Sequence, residues 1–421
     1  MDIAIERTSR GIPVITENVP GSQNSGYMVV VNTGSRDETP DIFGISHLLE
    51  HTVFRGTKNR TSFQISKEAE GAGGEINAFT TKEFTAFYAV TLESTKKIVQ
   101  DLIADIITNP LLTKDHVESE KKIVIQEISM YEQEPDVYIH ELFDMAIWKD
   151  HELAHETAGT KYTVTGLDYK DVREYRESKY KIPNLTVVAC GNINNNDVVN
   201  WAEKNFDNMS GGRENHRKKP AATTSSYMHR KREEDHCYIA MGFRAFDAQN
   251  TNRPALKLLS AILGSGSSSR LFQSVREEKT LVYSVYNTIN QFTDAGTLVT
   301  CMSSTRKNVL EAIKTTAETY KSLKESGLLK GELQRSKNFV KGTLTRGIES
   351  TSNRLYSLAE NSILTSKPES LDKRLELLDA VTDEDIMRVA ENVIIPDRLN
   401  VVMLGNDVED MKTFSIDQLD F

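Results

Sequence analysis

His47, Glu50 and His51, within Gly44-Ile45-Ser46-His47-Leu48-Leu49-Glu50-His51-Thr52-Val53-Phe54, are the residues of this chain best suited to chemistry. Read at helical period, Ile45, Leu48, Leu49, Thr52 and Val53 form one largely apolar stripe. His47, Glu50, His51 and Phe54 form a second face at i, i+3, i+4 and i+7. Two imidazoles one turn apart can ligate a single metal ion, and a carboxylate between them can reach a water on that ion. The order H-x-x-E-H reverses the common H-E-x-x-H motif and predicts zinc-assisted hydrolysis of a peptide bond.

Two histidines do not complete such a site, because a catalytic zinc has three protein ligands and a water. Candidates for the third lie on the acidic stretch 117–128, where Glu120 and Glu127 stand at i, i+7 and share a helix face. Glu127 is flanked by Ile123, Val124, Ile125 and Ile128, so its carboxylate is expected to be partly buried, and a buried carboxylate calls for a cation. The spacing alone fits an exposed, charged helix equally well. A competing motif is His151-Glu152-Leu153-Ala154-His155, a literal H-E-x-x-H with Glu174 and Glu177 downstream. That motif needs a helix through both histidines. Trp148-Lys149-Asp150 before it and Ala158-Gly159-Thr160 after it argue against one, and no apolar stripe anchors it.

The elements that must position these residues repeat along the chain. Ile182-Pro183 followed by Leu185-Thr186-Val187-Val188 recurs as Ile395-Pro396 followed by Leu399-Asn400-Val401-Val402. Phe63-Gln64, Glu68 and Phe84-Thr85 recur as Phe272-Gln273, Glu277 and Phe292-Thr293, in the same order. Two related halves are expected: 1–212, a linker over 213–232 that includes the basic run His229-Arg230-Lys231-Arg232, and 233–421. In the first half the patterns predict an N-terminal hairpin and a strand over 26–31. Helices are predicted over 47–54 and 61–71, then a hairpin of 75–80 with 84–91. Helices over 94–108, 114–134 and 167–179 and a strand over 185–190 complete it. In the second half, helices are expected near 253–263, 306–325, 331–349 and 384–392. This ordering predicts an α+β fold, each half an antiparallel sheet backed by helices. At the repeat offset His47, Glu50 and His51 face Leu256, Leu259 and Ser260, so only the first half can hold a metal.

Composition narrows the class further. The chain has 421 residues, 38% hydrophobic and 27% charged, enough for two or three domains. No apolar run approaches the roughly 20 residues that span a bilayer, and 1–19 lack the pattern of a signal peptide. Three cysteines cannot form a paired framework. Cys190, Cys237 and Cys301 read as small buried hydrophobes, which suits a reducing, cytoplasmic setting. A net charge of −10 disfavours a nucleic-acid partner and suits cationic, leader-like peptides.

H-L-L-E-H at 47–51 with Glu127 seventy-six residues beyond His51 resembles the pitrilysin/insulinase metallopeptidases. Thr33-Gly34-Ser35-Arg36-Asp37-Glu38-Thr39-Pro40 and Gly73-Gly74-Glu75-Ile76-Asn77-Ala78-Phe79-Thr80 carry the likeness further, toward the processing-peptidase branch and its short bacterial and archaeal relatives. The resemblance implies a clamshell of two α/β halves around a chamber, with His47, His51 and Glu127 as ligands of one Zn2+ and Glu50 as general base. It makes Glu120 the carboxylate orienting a ligand histidine. It assigns Asn77, Ala78 and Phe79 to an edge strand that peptide substrate extends, and Arg276 and Tyr283 to contacts near the scissile bond. The Gly264–Ser269 run, with no Gly-Lys-Ser/Thr after it, is similar to that branch's glycine-rich loop. The implied activity is ATP-independent endoproteolysis of short or unfolded peptides by a homodimer with no membrane partner. Some relatives are non-catalytic core subunits of respiratory complexes, but those have degraded metal motifs.

Overall fold

The computed structural model describes residues 3–365 and 367–421, which fall into two compact units. The first comprises 1–130, 155–218 and 346–371, and the second 131–154, 219–345 and 372–421.

In the first unit, β1 (Ile3–Arg7), β2 (Pro13–Asn18), β3 (Asn24–Val31), β4 (Glu75–Thr80), β5 (Thr85–Leu92) and β6 (Leu185–Gly191) form one sheet in the order β1-β2-β6-β3-β5-β4. In the second, β7 (Ser226–Lys231), β8 (His236–Ala245), β9 (Val282–Gln291), β10 (Gly296–Thr305) and β11 (Asn400–Gly405) follow the order β7-β11-β8-β10-β9. Dropping β1, the two orders superimpose strand for strand, so the repeat read from the sequence is a repeat of topology. The expected all-antiparallel sheets each contain one parallel pair, β2 with β6 and β7 with β11. β7 itself lies in the stretch expected to be linker. Its side chains alternate too weakly between apolar and polar to signal a half-buried strand.

Each sheet is covered on both faces, which explains why β3 and β10 are buried along nearly their whole length rather than at alternate residues. One face of the first sheet packs Val29, Val31, Phe87 and Val187 against Leu48, Leu49, Ile103 and Ile107 of the helices Ile45–Val53 and Lys96–Thr108. The other face packs Met28, Val30, Ala86 and Val188 beneath Leu355, Leu358 and Ala359 of the helix Thr351–Thr365. Arg354 of that helix pairs with Glu17 of β2 at 2.7 Å. The second sheet receives the reciprocal element: Ile139, Leu142 and Phe143 of the helix Pro135–Trp148 pack on Ala240, Val299 and Val402. Each unit thus takes one covering helix from the other unit's stretch of sequence.

The other elements expected from the sequence match to within three residues, while the helices Pro135–Trp148, Asn195–Phe206, Thr351–Thr365 and Leu371–Asp379 were not among them. The three cysteines are buried and unpaired, and no helix among the described residues is long and apolar enough to cross a membrane.

A buried ionic cluster braces the first unit beside the strand pair β4–β5. Arg36 Nη1 meets Glu83 Oε1 at 2.7 Å with both side chains almost fully enclosed, and Arg217 grips Asp37 through Nε at 3.0 Å and Nη2 at 2.7 Å. Removing one partner of a buried pair strands the other charge without solvent. The Glu83→Gln protein is expected to lose about 3–5 kcal/mol of stability, read as a lowered urea midpoint.

Candidate metal centre

The helix Ile45–Val53 begins without a side-chain cap of its own. Gly44 is in the left-handed region at φ 92°, and a Cβ there would sit 2.4 Å from the Ala158 carbonyl oxygen, so only glycine lets the two backbones meet. Its first amide donors go instead to Glu38, six to eight residues upstream: Gly44 N to Oε2 at 2.7 Å and Ser46 N to Oε1 at 2.8 Å. Burial pushes the Glu38 carboxyl up, to about 8, against those donors. The apolar stripe Ile45, Leu48, Leu49 and Val53 is wholly buried against the sheet. That burial fixes the rotation of the helix and turns His47 and His51 to the other side.

There the two imidazoles meet the helix Lys114–Gln133. His47 Nε2 lies 3.9 Å and His51 Nε2 3.4 Å from Glu127 Oε2, and the two rings stand edge to face with centroids 4.6 Å apart. One ligand atom from each of His47, His51 and Glu127 falls within 4.8 Å of the others, the one such group among the described residues. One turn pair earlier on the same helix, Glu120 accepts from His51 Nδ1 at 3.0 Å and also engages Arg55. The contact keeps a proton on His51 Nδ1 and turns Nε2 toward Glu127, where either a proton or a metal ion can lie between them. The i, i+7 relation of the two glutamates thus has a division of labour: one orients the imidazole and one completes the cluster.

The electrostatics suit a cation. Burial, and then His51, push His47 down to about 4, which leaves it neutral, the form that ligates metal. Burial opposes a charge on His51 too, but Glu120, Glu127 and Glu50 outweigh it and raise His51 to about 10. Carboxylates that hold a proton so firmly at one point offer the same attraction to a divalent ion in its place. Burial works against ionised Glu120 as well, but the hydrogen bonds from His51 and Arg55 prevail and keep it below the usual carboxylate range. Glu50 is 7% exposed; burial raises it, while a hydrogen bond from Thr80 Oγ1 at 2.8 Å works the other way.

The remaining candidates fall in two places. Asn77, Ala78 and Phe79 lie on β4, the terminal strand of its sheet, paired among the described residues with β5 alone. Asn77 Oδ1 accepts from the Ala78 amide at 2.8 Å, so a backbone donor of this edge strand is covered by its own neighbour. Arg276 and Tyr283 belong to the second unit, Arg276 in a π-helical turn Phe272–Glu278 and Tyr283 at the start of β9. The Arg276 guanidinium stands 4.7 Å from the Phe272 ring centroid and 5.9 Å from that of Tyr283, which is 78% exposed.

The competing H-E-x-x-H does not form a site. Its residues make a single 3-10 turn, Glu152–Ala154, not an α-helix through both histidines, and His151 Nδ1 accepts the Leu153 amide at 3.1 Å. The His155 ring stacks 3.8 Å from Phe43. Arg55 and Thr80 were missed in the sequence reading. Arg55 follows the motif helix directly, and its charge beside an acidic helix was the available signal. Nothing in the spacing pointed to Thr80.

Comparisons with known proteins give the family. Residues 13–161 match the family described as insulinase (peptidase family M16), and residues 166–340 match the M16 peptidase inactive domain. The chain is 33% identical to a protein named uncharacterized zinc protease YmxG from Bacillus subtilis, over 92% of this chain and 94% of that one. It is 30% identical to uncharacterized zinc protease SCO5738 from Streptomyces coelicolor, over 91% and 85%. Two solved structures share its fold: a protease from Helicobacter pylori (TM-score 0.89, 20% identity, 96% and 99% covered) and a chain of complex III from Candida albicans (TM-score 0.88, 20% identity, 99% and 98% covered). The chain belongs to the insulinase family of peptidases, family M16. It is a metallopeptidase, and its matched halves divide into a peptidase domain that carries the motif and an inactive domain that does not.

Proposed function

We propose that this chain is a zinc-dependent endopeptidase that cuts short or unfolded peptides without ATP, with His47, His51 and Glu127 as the metal ligands. The observation that carries the reading is the convergence of those three donors, with Glu120 behind one of them and Glu50 beside them. Two imidazole nitrogens and one carboxylate oxygen are a ligand set that zinc favours in peptidases. When bound there, zinc supplies a Lewis acid that polarises the scissile carbonyl and makes water acidic enough to attack near neutral pH.

The protein's own part is positional and proton-handling. Glu120 holds His51 in one tautomer. Glu50 takes the proton of the attacking water and passes it to the leaving amine. The edge strand β4 offers Asn77, Ala78 and Phe79 for main-chain pairing with an extended peptide, which gives affinity with little sequence preference. Tyr283 donates to the developing oxyanion and Arg276 holds a substrate carbonyl or carboxylate. A substrate that must add as a strand has to be unfolded at that point. Because one polypeptide carries both the metal motif and the Arg276/Tyr283 pair, the assembly is a homodimer of active chains. The unpaired cysteines suit a cytoplasmic setting.

A second reading, a non-catalytic core-type homologue, is compatible with the fold, which a chain of complex III from Candida albicans shares. The intact motif with its base opposes that reading. Digesting a mixture of unfolded peptides of graded length, with and without chelator and without ATP, separates the two. Internal cuts that vanish with chelator are expected. No cleavage by zinc-loaded protein would leave the non-catalytic reading standing.

A further inference from the structure

Among the described residues Glu50 accepts one side-chain hydrogen bond, and it comes from the strand expected to receive the substrate. Thr80, the last residue of β4, places Oγ1 2.8 Å from Glu50 Oε2. A carboxylate only accepts, so the single Thr80 O–H is directed at Glu50. The nearest competitor is Thr85, directly opposite in the β4–β5 register, whose Oγ1 lies 3.5 Å away. Its own hydroxyl donates to the Thr33 carbonyl at 3.0 Å and so does not call on Thr80 as an acceptor, and at 3.5 Å it is a weaker acceptor than Glu50 at 2.8 Å.

The support is rigid. The turn after β4 closes with Thr81 N to Phe84 O at 2.8 Å, and its outer side is held by Ser35 N to Thr81 O at 3.2 Å and Arg36 N to Lys82 O at 2.8 Å. Glu83, within the same turn, is locked to Arg36. Thr80 is therefore fixed on two sides while its hydroxyl reaches the carboxylate.

We propose that Thr80 is a positioning residue that fixes the Glu50 carboxylate by binding Oε2, so that Oε1 is the oxygen exchanging the proton with water and leaving amine. This rests on the reading of Glu50 as general base. It adds a link that the motif does not contain: the strand bearing Asn77, Ala78 and Phe79 also sets the orientation of the base, so peptide docking and proton transfer share one element.

The test compares Thr80→Val, which keeps the shape and removes the hydroxyl, with Thr80→Ser, which keeps the hydroxyl, and Glu50→Gln. Each is measured for metal content, thermal midpoint, KM and kcat on one internally quenched peptide. Thr80→Val is expected to keep its metal, midpoint and KM and to lose kcat about ten- to a hundredfold, the worth of a hydrogen bond to a charged group. Thr80→Ser is expected to recover kcat to within about threefold of the parent. A Thr80→Val kcat within about twofold of the parent, an equal loss in Thr80→Ser, or lost metal in Thr80→Val overturns the assignment without touching Glu50. An active Glu50→Gln protein would instead remove the reading on which it rests.

Discussion

Glu50→Gln is expected to purify with its full metal content and to cleave peptides about a hundred- to ten-thousandfold more slowly, the range for loss of a general base. The substitution is close to isosteric at a position only 7% exposed, and the amide oxygen can still accept from Thr80, so packing is preserved. What the amide cannot do is take a proton from the attacking water. His47, His51 and Glu127, which form the ligand cluster, are unaltered, and so is the contact between Glu120 and His51. Metal analysis and single-turnover cleavage on the same sample therefore read two independent quantities. A metal-replete Glu50→Gln enzyme of near-normal rate would discard the mechanism.

Much of this site was legible because a helix repeats its faces on a fixed period. Once Ile45, Leu48, Leu49 and Val53 are assigned to the core, the direction of His47 and His51 follows, and burial of all four bears that out. Glu120 and Glu127 were separable from the other acids of their helix by the same rule. The roles were not legible from spacing. Which glutamate faces the cluster depends on how two helices distant in sequence pack, and the likeness to known peptidases supplied that. Glu38 was quoted as part of a family-like segment, but its service to the amides of Gly44 and Ser46 is a contact of tertiary origin. Nor does any local pattern record that the helix Thr351–Thr365 covers the first sheet and Pro135–Trp148 the second. Amphipathic periodicity says that a helix has an apolar face, not which sheet receives it. The second half shows the converse: Leu256, Leu259 and Ser260 are all buried where the first half carries its chemistry, as the repeat offset implied.

His47→Ala is expected to abolish metal retention and activity together, whereas His151→Ala keeps both. Removing His47 leaves one imidazole and one carboxylate, too few protein ligands for a catalytic zinc site. His151 offers no comparable arrangement, since its Nδ1 accepts the Leu153 amide at 3.1 Å and its Nε2 lies 3.1 Å from Glu152. The pair of variants can be read without any substrate. An ion that binds the folded state and not the unfolded one adds RT ln(1 + [L]/Kd), about 2.7 kcal/mol at a hundredfold excess over Kd. Chelator should therefore lower the thermal midpoint of the parent and of His151→Ala, and leave that of His47→Ala unmoved. The opposite pattern, with metal lost from His151→Ala and kept by His47→Ala, would transfer the centre to the turn at Glu152–Ala154. His151 and His155 flank that short turn and are not carried by one α-helix. The direction of the chelator shift thus tests the ligand geometry directly, before any question of what the enzyme cuts.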